Sequence, residues 1–291
     1  REDRGLERYD FDTNQMLVCG VGPIPTNCGV SVSKTNFAPR LGVAWRATDT
    51  FVVRAGYGIT NDPFNWARPL RTNYPIMEVQ NFFAPNSRSW ALTLNEGLPR
   101  TTPPPTGGII PIPLTAAATV VDQRAKRGYI QSWNLTMEKQ IGRWIGSAGY
   151  VATRSVNPLV RFDANYSGID EGNAGRQLNK LFGRIATTTY HGSPNYTGKY
   201  DSLQARLQRR FSGGLELGLS YTWGKALGFE NTQDSGSGVA VNIPEYWHKN
   251  YGPLDTDIRH NFQATSIFEL PFGRNKRWAS DGVGNALLGG W

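Results

Sequence analysis

Ser202-Leu203-Gln204-Ala205-Arg206-Leu207-Gln208-Arg209-Arg210-Phe211, followed by Ser212-Gly213-Gly214 and then Leu215-Glu216-Leu217-Gly218-Leu219-Ser220-Tyr221-Thr222-Trp223-Gly224, decides the fold. Leu203, Ala205, Leu207 and Phe211 alternate with Ser202, Gln204, Arg206, Gln208 and Arg210. After the turn, Leu215, Leu217, Leu219, Tyr221 and Trp223 alternate with Glu216, Gly218, Ser220, Thr222 and Gly224. A period of two sends successive side chains to opposite faces of a strand, so these are two halves of a hairpin with one apolar and one polar face. Arg209 alone interrupts the apolar face, near a strand end where a long side chain can snorkel to water.

The same signal recurs outward in both directions. Leu41, Val43 and Trp45 are followed, across Thr48-Asp49-Thr50, by Phe51, Val53, Ala55, Tyr57 and Ile59 in matching parity. A third hairpin runs from Tyr129 to about Thr153, turning near Gly142-Arg143, with Trp133, Leu135 and Met137 opposite Ser132, Asn134, Thr136 and Glu138. Its second strand, from Trp144, is too rich in glycine to orient. A seventh strand covers Ile258 to Leu270, and Leu287-Leu288-Gly289-Gly290-Trp291 reads as the entry to an eighth.

Connections alternate in length. Tight turns follow Arg46, Gln140 and Arg210, whereas residues 61–126, 155–199 and 225–256 are long. Transmembrane barrels have short periplasmic turns, long extracellular loops and segments of about ten residues alternating apolar-out with polar-in. A soluble sandwich rarely needs structureless loops of more than about 15 residues. Trp45, Phe51, Trp144 and Phe211 fall at the short-turn ends and Tyr57, Tyr129, Tyr221 and Trp223 toward the long-loop ends, as two interfacial girdles require. The expected fold is therefore all-β: an antiparallel transmembrane β-barrel fragment of about seven to eight strands. Residues 1–291 form one partial barrel domain, residues 1–36 and the three long links are extracellular, and the location is the outer membrane.

Composition agrees. The chain has 291 residues with 33 Gly, 18 Pro and 12% aromatics but only 39% hydrophobic residues, and it lacks long helical periodicity. An uncharged stretch unsurpassed in length, Thr101 to Val121, is broken for a membrane helix by Pro103, Pro104, Pro105, Pro111 and Pro113. A formal charge of +8 raises the question of nucleic acid, but the basic residues are scattered over turns and loops, which excludes a phosphate-tracking stripe. The polar parity places Arg40, Arg46, Arg54, Glu138, Arg206, Glu216 and Glu269 toward a wet lumen.

Eight segments resemble the barrel of TonB-dependent receptors, particularly the Oar-like group. They include Asn36 to Trp45 with Val53 to Gly58, Gln131 to Leu135, Tyr150 to Arg154, Ser202 to Phe211, Ser220 to Ala226, and Asp257 to Phe262 with Glu269 to Gly273. The resemblance covers the chain from Asn36 onward. It implies a 22-stranded barrel with an N-terminal plug, and a short segment that engages an inner-membrane energy-transducing complex. No plug, coupling segment or barrel-closing strand is recognised among these residues. The implied function is binding and import of a solute without covalent chemistry; a surface-exposed binding or adhesion protein on the same barrel is the alternative.

Chemistry-bearing residues are sparse. Cys19 and Cys28, in a Gly- and Pro-rich loop, are read as a disulfide in an oxidising envelope, against free thiols or a two-thiolate metal site. Asp255, Asp257 and His260 straddle a strand start and lack a fourth ligand, so polar pairing on the barrel wall is favoured over a metal, and no metal or cofactor is expected. His191 and His248 read as isolated loop residues. With three His and neither Cys beside one, no nucleophile, base and orienter assemble, so the chain is not read as an enzyme. Gln233 to Gly238 lacks the Lys and helix of a phosphate loop. For ligand capture, Tyr246, Trp247 and Tyr251 with Asp255 and Asp257 suit sugars or peptides, against plain packing of the loop. Arg68, Arg71 and Arg88 among aromatics suit lipopolysaccharide or an acidic ligand. Expected partners are outer-membrane lipid and lipopolysaccharide, the energy-transducing complex, and a sugar, peptide or metal chelate as solute; nucleic acid is not among them.

Overall fold

The computed structural model describes residues 7–31, 36–61, 88, 90, 93, 95, 97, 107–114, 116–123, 127–192, 196–229, 237–238 and 241–288. In chain order the strands are β1 (Glu7–Asp10), β2 (Gln15–Val18), β3 (Arg40–Thr48), β4 (Phe51–Asn61), β5 (Ile109–Pro111), β6 (Ala118–Val121), β7 (Tyr129–Ile141) and β8 (Trp144–Val156). They continue with β9 (Val160–Asp163), β10 (Thr188–Gly192), β11 (Thr197–Ser212), β12 (Leu215–Gly228), β13 (Ser237–Gly238), β14 (Gly252–Pro253) and β15 (His260–Phe268). Two short helices, α1 (Gln177–Phe182) and α2 (Gly282–Leu288), accompany them.

The long strands form one antiparallel wall in the order β3-β4-β7-β8-β11-β12-β15, with the two-residue β14 also on β12. Thr48 pairs with Phe51, Ile141 with Trp144 and Ser212 with Leu215, so every short turn has two central residues. Gly213 and Gly214 both have positive φ, the geometry whose twist matches a right-handed hairpin. The register also orients β8: Ser147, Gly149 and Val151 pair with Glu138, Thr136 and Asn134 on the polar face, leaving Ala148, Tyr150 and Ala152 on the apolar one. Gly149 is required there. A Cβ would stand 2.7 Å from Thr136 Oγ1 and 2.9 Å from the Leu135 carbonyl oxygen. The far sides of β3 and β15 carry no partner strand among the described residues, so the barrel is not closed within this chain.

Three expectations are corrected. Leu287 and Leu288 end the helix α2 instead of opening an eighth strand, while Gly289, Gly290 and Trp291 lie outside the described residues; between β15 and α2 the Phe272 and Trp278 rings pack at 5.7 Å. Arg209 does not snorkel: its guanidinium folds back across a register shift and donates to the Leu215 carbonyl at 2.7 Å. The described parts of the long connections are not structureless. β11 already begins at Thr197 and β12 runs to Gly228, and described segments beyond the strand ends fold into two small sheets.

Those sheets have the orders β1-β2-β5 and β13-β9-β10-β6, with β6–β10 and β13–β9 parallel. Tyr9, Met16, Val18, Ile110, Ile112, Ala118, Val120 and Leu178 are buried together. This core draws on residues 7–31 and on the first two long connections. A second cluster joins Val160 and Tyr196 with Phe162, Phe229 and Trp247, which brings in the third. The loop end of the wall thus carries a cap with its own apolar interior.

Candidate functional site

The wall has two chemically distinct faces because directly paired residues share a face. Arg40, Arg46, Arg54, Glu138, Arg206 and Glu216 lie on the polar face by register, with Gln204, Ser220, Thr222, Asn261 and Gln263 among them. Arg54 and Glu138 are 3.3 Å apart across the β4–β7 pair. Glu269, just beyond β15, pairs instead with Lys276 at 2.5 Å. A shallow groove of about 200 Å³ runs over this face, lined by Thr136, Ser147, Gln204, Arg206, Ser220 and Thr222. The opposite face exposes Leu41, Val43, Trp45, Leu135, Met137, Leu203, Leu207, Phe211, Trp223 and Phe262, each by more than a third of its surface. Monomeric soluble proteins rarely expose an apolar sheet face of this extent.

The cap is held by polar groups that the sequence pattern does not single out. Arg184 is fully buried; its guanidinium donates to the carbonyls of Pro113 (3.0 Å) and Ala116 and lies 5.1 Å above the Tyr9 ring. No carboxylate reaches it among the described ion pairs, and burial holds its pKa below the ordinary value. Asn165, also fully buried, donates to the Arg184 and Ala186 carbonyls and accepts from the Leu178 amide. Asp163 accepts from the Asn165 and Thr188 amides and pairs with Arg176 at 3.1 Å. The only hint in the sequence is the presence of these polar residues in a nominal loop, and their partners lie up to 71 positions away. Cys19 and Cys28 are joined in a disulfide beside β2, with Cα atoms 5.0 Å apart.

Of the proposed ligand contacts, Trp247 packs edge-on against Phe162 (4.9 Å) and Tyr196 (5.8 Å) and donates its indole N–H to the Asn242 carbonyl. Tyr251 lies 5.2 Å from Phe229, which stacks on Tyr196 at 4.0 Å. Tyr246 has the Lys249 ammonium 4.8 Å over its ring. Asp257 accepts from the Ala226 amide at 2.7 Å, which ties the third connection to β12, while Asp255 is exposed. Thus Trp247 and Asp257 are committed to packing and anchoring. Tyr246, Tyr251 and Asp255 keep surface that a solute can reach.

His260 is hydrogen-bonded through Nδ1 to the Tyr221 hydroxyl at 2.8 Å. Among the described residues, no three His, Cys, Asp or Glu side chains come together as a metal site. Arg68 and Arg71 lie outside the described residues, Arg88 is exposed, and most of Gln233 to Gly238 is likewise not described.

His191 is not a loop residue: it sits in β10, 6% exposed, opposite Arg161. Burial, and then the Arg161 charge, push its pKa down to about 4. A depressed histidine value favours the neutral folded form, so its contribution is intact above about pH 6.5 and is lost as pH falls toward 4, where the unfolded chain takes up the proton first. Acidification from about pH 7 to about pH 4.5 is expected to lower the denaturant midpoint of the cap, read by near-ultraviolet circular dichroism of its packed aromatics. His191→Leu should flatten that pH profile. An unchanged slope in the variant would assign the acid sensitivity to other groups.

The profile of the outer membrane beta barrel domain family matches residues 1–291. The chain belongs to this family. It is therefore placed in the outer membrane, where the apolar face of a barrel wall meets lipid. Among the described residues no helix is long and apolar enough to cross a membrane. No curated protein matches the chain.

Solved outer-membrane structures are similar to this chain. The outer membrane transporter YddB from Escherichia coli is 12% identical, over 80% of this chain and 26% of that chain, with a TM-score of 0.48. The ferripyoverdine receptor of Pseudomonas aeruginosa is 13% identical over 88% and 22%, with a TM-score of 0.40. The FrpB iron transporter from Neisseria meningitidis is 11% identical over 76% and 23%, with a TM-score of 0.39. The barrel chain thus spans about a quarter of the length of these structures.

Proposed function

We propose that this chain is part of the wall and the external cap of a TonB-dependent receptor that binds a solute at the bacterial surface and imports it, with no covalent step. The observation that carries the reading is the cap: residues 7–31 and three long connections share buried cores at one end of a two-faced wall. Ordering so many connections costs conformational entropy, which a preformed recognition surface repays at binding. The long connections face outside and the two-residue turns face the periplasm, as barrel topology requires. The solute is a sugar, peptide or metal chelate, met by the free surfaces of Tyr246, Tyr251 and Asp255. Energy comes from an inner-membrane complex engaged by a segment outside this chain.

The test is uptake of labelled candidate solutes by cells with and without the protein, each with the proton-motive force intact or collapsed. Loss of energised uptake of one solute class on deletion is expected. Undiminished uptake of every class together with loss of surface adhesion would overturn import and favour the binding-platform alternative.

A further inference from the structure

The apolar face carries a cleft that neither packing nor solute import explains. It lies between β8, β11 and β12 near their loop ends, about 400 Å³ in volume, lined by Tyr150, Asp201, Leu203, Trp223, Lys225 and Arg259. Asp201 stands directly opposite Lys225 in the β11–β12 register. Its carboxylate nevertheless turns the other way, accepting from Arg154 at 2.9 Å and from the Tyr150 hydroxyl. Lys225 and Arg259 are both exposed and have no carboxylate within ion-pair distance among the described residues.

Depth in the membrane follows from strand length. About ten residues of a tilted strand cross the hydrocarbon. Counting from the Gly213-Gly214 turn, that length ends near Leu203 on β11 and near Gly224 on β12. β11 has 16 residues and β12 has 14, so both continue past the boundary. Lys225 is therefore at headgroup level, with Leu203, Leu207 and Tyr221 below it on the same face.

We propose that this cleft binds a phosphorylated glycolipid of the outer leaflet. Lys225 and Arg259 take its phosphate, the exposed rings of Trp223 and Tyr150 take a sugar face, and an acyl chain lies along Leu203 and Leu207. The charge favours a phosphate over a neutral headgroup, and the two aromatic faces favour a sugar over glycerol. The assignment rests on the outward orientation of the loop end, but not on import.

The test is native mass spectrometry of the protein isolated from outer membranes in detergent and titrated with lipid A, then separately with phosphatidylglycerol. Lipid A should be retained preferentially, and Lys225→Ala with Arg259→Ala should weaken retention at least tenfold. Lys225→Arg with Arg259→Lys should restore most of it. Arg143→Ala with Arg210→Ala, at the short-turn end, serves as the control and should change little. Heat-modifiable migration reports that each variant still forms a barrel.

Equal retention in the cleft variant, equal loss in the control, or equal retention of phosphatidylglycerol would each overturn the site. Absent uptake with lipid A binding intact would sink the import reading alone and leave this one standing.

Discussion

Replacing Arg184 with alanine is expected to destabilise the cap by about 3–5 kcal/mol while leaving the wall folded. Two effects add. The Ala116 carbonyl loses the guanidinium donor, a loss of about 1–3 kcal/mol if it is left unpaired, whereas the Pro113 carbonyl keeps the Ala116 amide at 3.0 Å. Removing a fully buried side chain also leaves a space beneath Tyr9 that its neighbours fill only partly. Arg184→Lys should recover part of the loss, since an ammonium keeps the charge but not the fork that reaches both carbonyls. Denaturant unfolding of the near-ultraviolet signal measures the cap, and heat-modifiable migration measures the wall. A change below about 1 kcal/mol in Arg184→Ala would show that water or local collapse replaces the guanidinium at little cost.

The second large effect concerns two adjacent positions on β11. Arg206 already sits on the polar face, so arginine at this depth is tolerated there. Leu207→Arg is expected to cost about 2–4 kcal/mol, because it places a charge toward hydrocarbon midway between Leu203 and Phe211. Gln208→Arg, one residue further and back on the polar face, should cost less than about 1 kcal/mol. Refolding into lipid vesicles, read by heat-modifiable migration, measures both. Comparable losses at the two positions would mean that the faces are not segregated by solvent as the register implies.

The wall is legible in the amino-acid sequence because alternation is local: Leu203 to Trp223 declare their faces without reference to another segment. Even there, glycine erases the signal. β8 has no readable face of its own, and only the pairing of Ser147 and Gly149 with Glu138 and Thr136 orients it. The cap is not legible for a different reason. β1, β2, β6 and β9 have four residues each, too few to display a period. β1 and β2 pair locally, but β2 also pairs with the distant β5 and β6 with the distant β10, as with Ala118 beside Thr188. Among the ligand candidates, aromatic clustering around Trp247 is visible in the sequence but its purpose is not. Only the contacts with Phe162 and Tyr196 separate a ring that packs from one that greets a ligand. His191 illustrates the converse, since a histidine in an apparent loop is interior.

The parallel pairing of β6 with β10 bears on how such a protein changes over evolutionary time. In many barrels each surface loop is a separate module, free to lengthen, shorten or be exchanged under pressure from phage or antibodies. Here Tyr9, Ile110 and Leu178, from three distant parts of the chain, fill one interior. An insertion in one connection must be accommodated by the other two. Variation should then concentrate outside the shared interior, and transplanting a single loop into a related barrel should fail where transplanting the whole set succeeds.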